Sequence, residues 1–87
     1  MSICQNYDEL LERCRSRKKQ RYVTEQLECM LIEGLTMEQA LRTNYELLGR
    51  RYGEKAFISF IEHRRSRGWV INERNGVYKV VGIFPVS

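Results

Sequence analysis

The chain has a single proline, a single histidine and a single tryptophan in 87 residues, and each scarcity closes off a class of chemistry. One His and three scattered cysteines, Cys4, Cys14 and Cys29, contain no CxxC pair and no ligand cluster, so no zinc site is expected. His63 has no Asp, Glu, Ser or Cys constellation around it in sequence, so it reads as a surface residue and not as an acid–base catalyst. No glycine-rich phosphate loop is present. No enzyme and no cofactor are expected from this inventory. No apolar run is long enough to span a bilayer, and no signal-peptide pattern is present. The odd cysteine count reads as free thiols filling small spaces in a reducing compartment. A soluble, cytoplasmic protein is expected, with no membrane partner.

The length suits one small domain, and 43% hydrophobic residues suit a globular fold. The net charge is +4, and the excess is uneven. Six of the 15 basic residues crowd into one run: Arg13, Arg15, Arg17, Lys18, Lys19 and Arg21. Further basic residues recur at Arg50 and Arg51, along 64–67 and along 74–79. That pattern favours a polyanionic partner.

Residues 1–19 read as a basic N-terminal arm or short helix, with Asp8 and Glu9 early and the cations late, as the helix dipole prefers. Its apolar face, Leu10 and Leu11, is thin. Residues 20–33 form the next expected helix, from the spacing of Tyr22, Val23, Leu27, Met30 and Leu31 up to Gly34. Thr36 and Gln39 make a capping box, and Thr43 with Glu46 makes a second. The stretch 37–52 is therefore either two short helices or one bent helix, with Ala40, Leu41, Leu47 and Leu48 inward. Tyr22, Tyr45 and Tyr52 read as core edges. Residues 54–67 form the clearest helix, with a stripe of Phe57, Phe60 and Ile61 widened by Ile58. Arg64 and Arg65 flank it with their heads outward. Gly68 stops it, and Trp69 packs as a hinge between the helix and the hairpin. WVINER, then Asn75-Gly76, then Val77 to Ile83 reads as a β-hairpin with a two-residue type I′ turn. That turn pairs Arg74 with Val77, Asn72 with Lys79 and Ile71 with Val80.

Three helices and a hairpin is the order of a winged-helix domain, here expected over residues 20–84, with a mostly α, α+β fold. In such a domain the last helix lies in the major groove and the hairpin touches the flanking backbone. Lys55, Ser59 and His63, four residues apart on the outer face of that helix, would reach base edges or phosphates. Arg65, Arg67, Arg74 and Lys79 would meet phosphates, joined by Arg50 and Arg51 and by the basic arm. Glu62 sits on the same face.

The stretch TEQLECMLIEGLTMEQAL, the helix ending IEHRRSRGWVI and the strand VYKV resemble the small helix-turn-helix domains common in phage and prophage genomes. The matching positions are Thr36, Ala40, Leu41, Ile61, Arg64, Arg65, Gly68, Trp69 and Ile71. The chain departs from that family's pattern in a longer connection from Arg42 to Gly53, which has room for an extra helix. The resemblance implies a phage-encoded regulator of double-stranded DNA. The alternative is a winged-helix module that binds and inhibits a host protein. A homodimer, through Leu10 and Leu11 or through the Phe84 end, fits either reading.

Overall fold

The computed structural model describes residues 6–16, 22–49 and 53–85. Among these residues the elements run α1 (Tyr7–Arg15), α2 (Val23–Glu33), β1 (Leu35–Thr36), α3 (Met37–Leu48), α4 (Glu54–Ser66), β2 (Trp69–Arg74) and β3 (Val77–Ile83). The fold is α+β and mostly helical, as expected.

Local chemistry explains most boundaries. Asn6 caps α1, its Oδ1 accepting from the Glu9 N–H at 2.7 Å. At the start of α2 the Glu25 carboxylate reaches back to the Tyr22 N–H at 3.2 Å. The first capping box is present: the Gln39 N–H donates to Thr36 Oγ1 at 3.1 Å, and the Thr36 N–H donates to Gln39 Oε1 at 3.0 Å. Gly34 ends α2 with φ +125°, and a Cβ there would lie 2.9 Å from Val77 Cγ1. Only glycine lets the chain turn there directly into β1, against β3.

The connection read as a long insertion is mostly helix. α3 runs unbroken to Leu48 and ends at Gly49 in the left-handed conformation, φ +67°. Thr43 caps nothing; its hydroxyl lies inside α3, 3.7 Å from Met30 Sδ. Only residues 49–53 separate α3 from α4. Leu47 and Leu48 do not enter the core: they are 55% and 48% exposed, and the buried side of α3 is made by Ala40 and Asn44 instead. Tyr22 and Tyr45 are also exposed, and Tyr52 lies outside the described residues.

The sheet order is β1-β3-β2, all antiparallel. The hairpin register is the expected one, with Arg74 opposite Val77, Asn72 opposite Lys79 and Ile71 opposite Val80. Beyond Ile71 the register shifts, pairing Val70 with Gly82 and Trp69 with Ile83. Val81 is thus a bulge residue, and it points outward. β1 has only two residues and was not anticipated, since so short a strand has no alternation to read. It exists by pairing Leu35 with Tyr78 and Thr36 with Val77.

One core serves every element. α1 contributes Leu10, α2 Leu27 and Leu31, and β1 Leu35; α4 adds Phe57, Phe60 and Ile61, and the sheet adds Trp69, Ile71, Val80 and Ile83. Leu10 is fully buried, so α1 is an integral part of the domain and the boundary drawn at residue 19 divides one core. This also removes Leu10 from any dimer interface. In α4 the buried stripe is Phe57, Phe60, Ile61 and Arg64, while Ile58 is 40% exposed. Ile58 lies about 100° around the helix from Phe57, and the seventh position after Phe57, which is Arg64, takes the inward place instead.

Candidate nucleic-acid interface

The outward face of α4 follows from its buried face. With Phe57, Phe60, Ile61 and Arg64 facing in, Lys55, Ser59, Glu62, His63 and Ser66 all face out. His63 is held in one orientation. Its Nδ1 lies 2.8 Å from Arg64 Nη1, and an arginine N–H can only donate. In this contact Nδ1 is therefore assigned as the acceptor, which leaves Nε2 to carry the ring N–H.

The arginines at the end of α4 have different fates. Arg64 is buried. Its Nε donates to Glu28 Oε2 at 2.7 Å and its guanidinium stacks 4.6 Å over the Phe60 ring. Its head does not reach out, contrary to the expectation from its flanking position. Arg65 is exposed but donates from Nη2 to the Ile71 carbonyl. In a two-residue hairpin the pair beside the turn is hydrogen-bonded and the pairs alternate from there. Ile71 then presents its C=O to the open edge of β2, and Arg65 covers it. Arg67 is exposed just past the helix end.

On the hairpin, Arg74 and Lys79 lie on the face opposite Ile71 and Val80, and both are exposed. Asn75 and Gly76, with φ +54° and +80°, make the turn. The Glu73 carboxylate pins it by accepting from the Gly76 N–H at 2.8 Å. Across α4 and the hairpin the outward cations are Lys55, Arg65, Arg67, Arg74 and Lys79, set against Glu54, Glu62 and Glu73. Five against three leaves these two elements with an excess of two exposed positive charges.

The basic arm divides. Arg15 is exposed at the end of α1. Arg13 is turned inward: its Nη2 donates to Glu28 Oε1 at 2.7 Å and approaches the Glu25 carbonyl at 3.3 Å. It ties α1 to α2 and is not a surface cation. Arg17, Lys18, Lys19, Arg21, Arg50 and Arg51 lie outside the described residues. The expectation of free thiols is overturned for two cysteines: Cys14 of α1 and Cys29 of α2 form a disulfide. Cys4 lies outside the described residues.

Sequence reasoning missed Glu28. Its side chain is 3% exposed and its two oxygens serve two different arginines, Arg13 and Arg64. The signal was present, since Glu28 sits beside Leu27 and Leu31 on the apolar side of α2 and must find cations there. Among the described residues no three His, Cys, Asp or Glu side chains gather to hold a metal ion, and no helix is long and apolar enough to cross a membrane. Comparison with family models, curated proteins and solved structures finds no match to this chain.

Proposed function

We propose that the protein is a winged-helix regulator that binds double-stranded DNA, with α4 in the major groove and the β2–β3 hairpin as the wing. The observation that carries this reading is the outer face of α4. Lys55, Ser59 and His63 stand free of the core on a helix that the core holds rigidly from behind, and Arg74 and Lys79 extend the cationic surface along the hairpin. Lys55 and the ring N–H of His63 suit the acceptor edge of guanine or a phosphate, and Ser59 suits either. Arg67, Arg74 and Lys79 neutralise phosphates and set the register on the duplex. The element order, with β1 and β3 joining the helical part to the hairpin, supports the winged-helix assignment, and the sequence resemblance supports a phage or prophage source. Such a regulator acts in the cytoplasm.

The test is fluorescence anisotropy on duplex DNA across a salt series. Neutralising about five phosphates gives a log–log slope near −4.5, a loss of roughly 500-fold between 50 and 200 mM salt. The triple variant Lys55→Ala, Arg74→Ala, Lys79→Ala should flatten the slope by about 2.7. No binding at 50 mM salt sinks the reading, and equal binding by both proteins removes α4 and the hairpin from it.

A second reading rests on the last turn of α3, where Tyr45, Leu47 and Leu48 are 58%, 55% and 48% exposed. Three large apolar side chains together on one helix end suit a protein partner, and Glu62 in the middle of the α4 face does not oppose one. The long Arg42–Gly53 insertion no longer supports it. A defined protein partner retained at salt that abolishes DNA binding, and lost on Leu47→Ser with Leu48→Ser, would favour this reading.

A further inference from the structure

The disulfide between Cys14 and Cys29 joins the last turn of α1 to the middle of α2 across 15 residues of sequence. Both cysteines are only partly buried. Their surroundings are polar on one side. Arg13 Nη2 lies 4.0 Å from Cys29 Sγ and belongs to the triad in which Glu28 serves both Arg13 and Arg64. A cation beside a sulfur makes it the better leaving group in thiol–disulfide exchange.

α1 is part of the one core, yet it enters it through few side chains. It adds Leu10 as its one fully buried side chain, with Tyr7 and Cys14 packed at the margin, and it belongs to no strand pairing. The other eleven buried apolar side chains of the core come from α2, α3, α4 and the sheet. Leu10, the Arg13–Glu28 ion pair and the disulfide are among the ties that hold α1 to the rest of the fold.

We propose that Cys14–Cys29 is a reversible redox lock on α1, opened by a cellular dithiol or by glutathione. One thiolate of the reductant attacks Cys14 Sγ. The S–S bond breaks and its electron pair leaves on Cys29 Sγ, beside Arg13, while a mixed disulfide forms on Cys14. The second thiol of a dithiol, or a second glutathione, then attacks the reductant's sulfur in the mixed disulfide. Its proton passes to Cys14, and the reductant departs as a disulfide, oxidised by two electrons. The opened form has Cys14 as a thiol and Cys29 as a thiolate. Losing a cross-link that closes a loop of this length loosens α1 on the order of a hundredfold. Detachment of α1 uncovers the apolar surface of α2 and β3 beneath Leu10. The proposal does not depend on DNA binding.

The experiment uses the full chain carrying Cys4→Ser, so that only the pair can exchange. Hydrogen exchange is compared in the oxidised protein and after reduction. The lock requires α1 amides to exchange at least about tenfold faster after reduction, while β2 and β3 amides keep their protection. Equal protection of α1 in both forms overturns it. So does joint loss of protection in α1 and the hairpin, which would make the bond a staple of the whole fold. Equilibration with glutathione buffers, trapped by alkylation and read by peptide mass, supplies the second measurement. Glutathione trapped on Cys14 supports the assigned polarity. Glutathione trapped on Cys29, or a pair that resists reduction at cytosolic glutathione ratios, overturns the proposal.

Discussion

Replacing Glu28 with Gln removes one negative charge from the point where two guanidiniums converge. The oxygens of Glu28 accept from Arg13 Nη2 and Arg64 Nε at 2.7 Å each, and the side chains of Glu28 and Arg64 are 3% and 10% exposed. Gln keeps the shape and one acceptor, but its amide N–H groups face the other donor. Breaking a buried pair by removing one partner costs about 3–5 kcal/mol, because the remaining charge stays buried without compensation. A chain of this size has a total stability of roughly 4–13 kcal/mol. The variant should therefore be marginal. Trp69, the only tryptophan and 2% exposed, reports unfolding by its fluorescence. In urea the midpoint should fall by roughly 2–3 M at an m-value near 1.5 kcal/mol/M. Most of the cost belongs to Arg64, since the Arg13 side chain is 22% exposed and can turn partly toward water.

Two comparisons separate this account from a general sensitivity to mutation. The Glu38–Arg42 pair has side chains 81% and 65% exposed, so Glu38→Gln should cost no more than about 0.5 kcal/mol. The combined variant Arg13→Met, Glu28→Leu, Arg64→Met removes all three charges and keeps the volume. It should be neutral or more stable than wild type, because burying the charges costs as much as their attraction returns. A loss below about 1 kcal/mol for Glu28→Gln would refute the reasoning, and so would a triple variant as weak as the single one.

Leu10→Ala should cost about 2–5 kcal/mol by deleting a fully buried side chain, seen as a lower melting temperature; an unchanged melting temperature would return α1 to the status of an arm. Gly34→Ala should destabilise by more than about 1 kcal/mol. Its positive φ and the 2.9 Å approach of Val77 Cγ1 both oppose a methyl group, and equal urea midpoints would show that the β1–β3 junction relaxes freely.

What could be read from sequence was backbone chemistry. Gly68 at φ +95° and the Asn75-Gly76 turn have conformations that few other residues adopt, so the helix end, the turn and the register from Arg74 to Ile71 were legible directly. What could not be read depended on partners distant in the chain. β1 is created by β3. Thr36 and Thr43 carry similar capping signals, and only the packing of Thr43 against Met30 makes one a cap and the other a mid-helix residue. Ile58 and Arg64 exchanged their expected places because Glu28, 36 residues before Arg64, gives that guanidinium a buried counter-charge. With three cysteines the pairing is not encoded locally, and the odd count concealed it.

The same exchange changes what the net charge means. A count along the sequence treats Arg13 and Arg64 as available to a polyanion, but both are turned onto Glu28. Arg65, although exposed, is partly committed to the edge carbonyl of Ile71. Among the described residues, the exposed cations left to the proposed DNA binding are Arg15, Lys55, Arg67, Arg74 and Lys79, a set that overlaps little with the densest basic stretch of the sequence. The two classes of arginine can be told apart by how their loss acts. Removing a phosphate contact lowers the salt slope by about 0.9 and leaves the fold intact. Removing Arg64 unbalances the buried cluster, so binding falls with the folded fraction while the molecules that remain folded keep the full slope. A basic residue in so small a domain is therefore assigned to the interface or to the core by that slope, and not by its position in a charge run.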